Sequence, residues 1–294
     1  MNRKSFLKSL SLFPFLMNID SLNGLENWAA LQPNSQKMPV LFIGHGSPMN
    51  AIEDNQFVRS FKELGKKLPK PKAILCISAH WYTKGTQVMS SVLPKTIYDF
   101  GGFPDELYKI TYPAPGSPEL AKQVNTILSN QNSTLSDDWG LDHGAWTVLR
   151  HLFPTADIPV IQLSIDYTKP ASYHFEMAKL LKDFRNKGIL IVGSGNIIHN
   201  LGMIDWANIN TDDFGYDWAI EVKQKTNQAI LTLDSDFLVR YSQHGKAFTN
   251  AIPTPDHYLP LLYSMALADS KDSVTLFNDK LMAGSLSMTS VKFG

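Results

Sequence analysis

Eight histidines and one cysteine are the residues of this 294-residue chain best suited to build a metal site. A single thiol, Cys76, permits no intrachain disulfide and no multi-thiolate zinc or iron–sulfur centre, so any metal must be held by nitrogen and oxygen. Cys76 itself lies inside the apolar run Ala73-Ile74-Leu75-Cys76-Ile77 and reads as inert packing. Five histidines stand in settings that suit a site. His45 lies in Gly44-His45-Gly46-Ser47-Pro48, His80 in Ser78-Ala79-His80-Trp81, and His199 in Gly195-Asn196-Ile197-Ile198-His199-Asn200, each just beyond a strand-like run. His257 sits in Pro253-Thr254-Pro255-Asp256-His257-Tyr258, where prolines limit backbone freedom. His143, in Trp139-Gly140-Leu141-Asp142-His143-Gly144-Ala145-Trp146, stands at an expected helix start that Asp142 would cap.

Taken singly, a histidine at a strand end is more often hydrogen-bonded to backbone than bound to metal. The conjunction of three strand-end imidazoles, with glycines allowing close backbone approach, points to a metal. Neutral imidazoles suit zinc or ferrous iron; magnesium and calcium prefer oxygen. His151, His174 and His244 lack such settings and read as structural or surface residues. Gly193-Ser194-Gly195-Asn196 invites comparison with a nucleophile or phosphate-binding turn, yet it lacks both the G-x-S-x-G spacing and the Gly-Lys-Ser/Thr ending. A small-residue turn that brings His199 to the pocket is the simpler reading.

The elements that must position these residues follow from the hydrophobic pattern. Val40–Ile43, Ala73–Ile77, Val160–Leu163 and Ile189–Val192 read as buried strands, and residues 57–68, 118–128 and 173–184 as amphipathic helices. A further apolar helix is expected to start near Leu259. The alternation predicts a single α/β domain whose central, largely parallel sheet is covered by helices on both faces. In open sheets of this kind ligands bind at the carboxyl ends of the strands, where His45, His80 and His199 fall. The Pro/Gly-rich stretch 99–118 is a long connection of the sort that carries function.

Lys+Arg and Asp+Glu balance at 27 each, so the basic excess expected of a nucleic-acid or anionic-membrane binder is missing. Residues 1–36 are set apart from the fold. Arg3-Lys4-Ser5-Phe6-Leu7-Lys8 resembles a twin-arginine export signal with Lys for the second Arg, and the apolar run 10–17 is too short to span a membrane. No clean small-x-small cleavage site stands near Ala29 and Ala30, so cytoplasmic and exported locations both stay open.

From about residue 38 to 294 the chain resembles the class III extradiol ring-cleavage dioxygenase superfamily, in its 4,5-DOPA extradiol dioxygenase branch. The motifs that carry the resemblance are Gly44-His45-Gly46-Ser47-Pro48-Met49-Asn50, Ser78-Ala79-His80-Trp81, Asp99-Phe100-Gly101-Gly102-Phe103-Pro104, Tyr112-Pro113-Ala114-Pro115-Gly116-Ser117-Pro118, Asp142-His143-Gly144, the stretch Gly195–Leu201, the stretch Pro253–Leu262 and Gly284-Ser285-Leu286-Ser287-Met288, in collinear order. The resemblance implies one divalent metal per chain, Zn2+ or Fe2+, with Fe2+ expected for oxygen chemistry. It implies His45, His80, His199 and His257 as metal ligands, while in the wider superfamily the position of His199 is the acid/base. It implies His143 as a histidine contacting substrate or oxygen. The wider superfamily uses two histidines and a carboxylate, so here either a third imidazole replaces the carboxylate or Asp256 turns inward.

The implied reaction is extradiol opening of a catechol, DOPA-like, with O2; His199, assisted by His143, would take the second phenolic proton and return it during ring opening. A zinc-binding scaffold without oxygen chemistry and a zinc hydrolase are the alternatives. Neither the physiological catechol nor the oligomeric state is readable from the sequence.

Overall fold

The computed structural model describes residues 36–294, which form one compact unit; the export-like segment lies outside the described residues. Six strands make the main sheet: β1 (Val40–Gly44), β2 (Ala73–Ser78), β3 (Val160–Gln162), β4 (Ile189–Gly195), β5 (Val274–Phe277) and β6 (Ser290–Phe293). Their order is β3-β2-β4-β1-β6-β5, with the first four parallel and β6 antiparallel to both of its neighbours.

The near-continuous apolar runs reflect burial of both faces of the sheet. Val40, Phe42, Leu75, Ile77, Ile189 and Ile191 belong to one core, whereas the intervening Leu41, Ile43, Ile74, Leu190 and Val192 belong to the other. The first core is closed by α2 (Pro118–Ile127), α4 (Ala171–Lys179), α5 (Asp217–Leu231), the short α6 (Ser235–Val239) and α7 (Lys246–Ala251), and α8 (Leu259–Leu267). The second is closed by α1 (Gln56–Lys67) and α3 (His143–Leu152) through Phe57, Phe61, Trp146, Leu149 and Leu152. Among the described residues no helix is long and apolar enough to cross a membrane.

Three expectations need correction. The segment expected as one helix over 173–184 ends at Lys179 and passes into a 3-10 turn, Lys182–Lys187, that closes on Gly188 with φ 83°. Gly193-Ser194-Gly195 is not a turn but the end of β4. Without side chains at Gly193 and Gly195, the carbonyls of Pro260 and His257 pack where a Cβ would stand, 2.4 and 2.1 Å from its position. The sheet also gains β5 and β6, which the sequence pattern did not mark.

Register brings the site to one level. Gly44 of β1 is paired with Gly195 of β4, and Ser78 of β2 with Ser194, so three adjacent strands end together. The next peptides remain tied: His45 N–H donates to Gly195 O at 3.0 Å and Ala79 N–H to Ser194 O at 2.9 Å. The 253–258 turn is hooked onto the same edge by Asn196 N–H, which donates to His257 O at 2.9 Å.

Candidate metal centre and active site

The five histidines singled out above gather at this edge. Ring centroids of His45 lie 5.0 Å from His80, 5.5 Å from His143 and 5.3 Å from His257, and His80 stands 3.9 Å from His143 and 4.9 Å from His257. His199 stacks on His257 at 3.6 Å with only 9° between the planes. The other three histidines lie elsewhere with ordinary partners: His151 bonds Asn50 O, His174 bonds Tyr263 Oη and Asp166 O, and His244 bonds Phe237 O.

Each of three rings has its Nδ1 engaged. His45 Nδ1 meets Ser194 Oγ at 3.0 Å, and that hydroxyl donates onward to Gly144 O at 2.5 Å. Because the hydroxyl spends its proton on the carbonyl, it can only accept from His45. His80 Nδ1 lies 3.2 Å from Asp99 Oδ2, and His257 Nδ1 bonds Asp256 Oδ2. In His45 and His257 an Nδ1–H held this way leaves the Nε2 lone pair free for a metal. The Nε2 atoms of His45 and His80 face each other at 3.2 Å. Two nitrogens bound tetrahedrally at about 2.0–2.1 Å would stand about 3.3–3.4 Å apart. His45, His80 and His257 thus offer three ring nitrogens within 4.8 Å of one another, and the donor set fits a zinc or ferrous ion.

His199 offers a nitrogen to a second grouping with Asp256 and His257. The His199 ring lies nearly parallel to that of His257, stacked on it at 3.6 Å.

Electrostatics favour neutral rings. Burial, reinforced by the neighbouring imidazoles, holds His45 and His80 well below the usual histidine range and pushes His199 down to about 3. Burial pushes the carboxyls of Asp99 and Asp256 up, but the hydrogen bonds and charge of their histidine partners outweigh it and leave both below the ordinary value. Asp142, fully buried, is displaced upward by desolvation and by the charge of Asp99. It caps α3 as expected, accepting from Ala145 N–H at 3.1 Å and from Ser78 Oγ at 2.6 Å.

Sequence reasoning assigned no role to Asp99. One of its oxygens accepts the backbone N–H of His143 at 2.8 Å and the other meets His143 Nδ1 at 2.9 Å. Its position in the long functional connection was the available signal. Ser194, weighed as a nucleophile, instead supports His45. The adjoining loop supplies aromatic surface: Phe100 sets its edge against His143 at 5.5 Å and packs with Phe103, Tyr108 and Trp146.

Comparison with known proteins gives this constellation a family. Residues 39–270 match the family described as the catalytic LigB subunit of aromatic ring-opening dioxygenase. This chain belongs to the LigB family. It is therefore an extradiol-type ring-opening dioxygenase, and its described residues include histidine groupings that could hold a metal ion. It is 47% identical over 267 residues to the 4,5-DOPA dioxygenase extradiol of Escherichia coli (strain K12), covering 89% of this chain and 96% of that protein. It is 35% identical over 260 residues to a protein of the same name from Beta vulgaris, covering 86% and 96%. An uncharacterized protein of Escherichia coli K12, known from its crystal structure, superposes with a TM-score of 0.75 at 44% identity, covering 87% of this chain and all of that one.

Proposed function

We propose that this LigB-family enzyme opens a catechol ring beside its two hydroxyls, using O2 and one divalent metal held by His45, His80 and His257. The observation that carries the reading is the convergence of these three ring nitrogens, with the Nδ1 sides of His45 and His257 hydrogen-bonded and that of His80 facing the Asp99 carboxylate. Ferrous iron bound there would supply the open positions at which catechol and O2 meet. His199, neutral and stacked on His257, is the group that removes the second phenolic proton and returns it during ring opening. His143, held by Asp99 and flanked by Phe100, faces the bound ring and assists. Similarity to proteins named 4,5-DOPA dioxygenase extradiol favours a DOPA-like catechol.

The test is anaerobic loading with iron, followed by L-DOPA, caffeate and protocatechuate in air, with an oxygen electrode and visible absorbance. Oxygen uptake and a yellow product are expected with at least one catechol; turnover without oxygen uptake, or none at all, counts against the reading. His45→Ala and His80→Ala should lose bound metal. His143→Ala and His199→Ala should retain metal and lose roughly 10²–10⁴-fold in turnover.

A further inference from the structure

Asp99 lies against both a ligand of the proposed metal and a histidine outside that ligand set. Its Oδ1 accepts the N–H of His143 at 2.8 Å, one of the unpaired donors of the first turn of α3. Its Oδ2 lies 2.9 Å from His143 Nδ1 and 3.2 Å from His80 Nδ1. A carboxylate oxygen only accepts, so His143 Nδ1 must carry its proton and its Nε2 keeps a lone pair, while His80 Nδ1 stands at ion-pair distance from the same oxygen. The two rings are 3.9 Å apart, which one shared oxygen makes possible. Asp99 reaches them from the loop that also supplies Phe100, whose ring edges onto His143.

We infer that Asp99 is a positioning residue that sets the tautomer of His143 and holds its negative charge against His80. Against His80 it sets a negative charge behind a proposed ligand ring; in His143 it turns a lone pair toward the substrate, so that His143 accepts a hydrogen bond or proton and does not donate one. The loop carrying the aromatic ring wall and the helix carrying His143 are thereby locked to the metal site through one side chain. This inference rests on the reading of His80 as a ligand, but not on the identity of the reaction.

Asp99→Asn is the informative variant. The amide keeps an acceptor for the His143 N–H while setting an NH2 donor against the two Nδ1 atoms, opposing the tautomer that the carboxylate enforces. The full chain, labelled with 15N-histidine, is examined by long-range proton–nitrogen correlation NMR in its metal-free and zinc-loaded forms, and zinc affinity is measured by chelator competition. In the wild type His143 is expected as the Nδ1–H tautomer in both forms. In the variant that tautomer is lost and zinc affinity falls about 10–100-fold. An Nε2–H tautomer for His143 in the wild type overturns the inference even if the variant does not fold. Zinc affinity within threefold of wild type in a folded Asp99→Asn chain also overturns it. These readouts need no turnover: if they come out as expected while no catechol is consumed, the dioxygenase reading fails and the role of Asp99 stands.

Discussion

At the scale of single residues, the negative charge of this centre sits behind the imidazoles. Asp256 already bonds His257 Nδ1 through its Oδ2, a contact that an inward turn toward the metal would compete with. A carboxylate there orients the ring and fixes its tautomer, an arrangement commonly worth about 10–100-fold in metal affinity. Asp256→Asn is accordingly expected to weaken zinc binding by about that factor in chelator competition, while His199→Ala, which removes a stacked ring and no proposed ligand, leaves affinity within a few-fold. Equal loss in both variants would make His199 a ligand. The histidines were legible in the sequence because strand ends and proline or glycine settings mark them. Their partners were not. Ser194 and Asp99 reach His45 and His143 across 149 and 44 positions of sequence, and the paired register of the strands and the path of the 99–118 connection make those contacts.

At the scale of elements, the start of α3 is the tightest junction. Gly144 allows the helix to approach the ends of β1 and β2, and a Cβ there would meet Ser78 Oγ at 2.5 Å, His80 Cδ2 at 2.8 Å and His45 Nδ1 at 3.2 Å. Two effects compete in Gly144→Ala. Helix propensity favours alanine by about 1 kcal/mol, whereas forcing a methyl into a filled core costs about 1–3 kcal/mol. Because two of the three obstructing groups are proposed ligand rings and the third supports the Asp142 cap, crowding should win. The variant should melt lower and bind less than one zinc per chain, as read by calorimetry and metal analysis. A higher melting temperature with full zinc content would show that the rings yield freely. The main parallel strands were readable from their continuous apolar runs. The edge strand β5 is only partly buried and β6, Ser290-Val291-Lys292-Phe293, alternates polar with apolar residues, so neither carries a continuous apolar run.

At the scale of the molecule, balanced surface charge leaves the buried ionisable groups to govern how stability responds to pH. His174 is fully buried between α4 and α8, bonded to Tyr263 Oη at 2.8 Å and to Asp166 O at 3.2 Å. Burial, only partly opposed by the hydrogen bond to Asp166, lowers its pKa to about 4. The unfolded chain titrates near the ordinary value of about 6.5, so between roughly pH 6.5 and 4 it binds the proton that the folded chain refuses. The contribution is therefore complete above about pH 6.5, declines as pH falls, and levels off below about 4, amounting to at most about 3 kcal/mol. The proposed metal-site histidines respond to acid as well, but they are common to the wild type and to His174→Gln. Urea unfolding of both chains at pH 7, 5.5 and 4 cancels that shared part. The stability difference between them should shift by up to about 3 kcal/mol in favour of the variant as pH falls; a difference that stays constant across the three pH values would mean that His174 is not held neutral by the packing of α4 against α8.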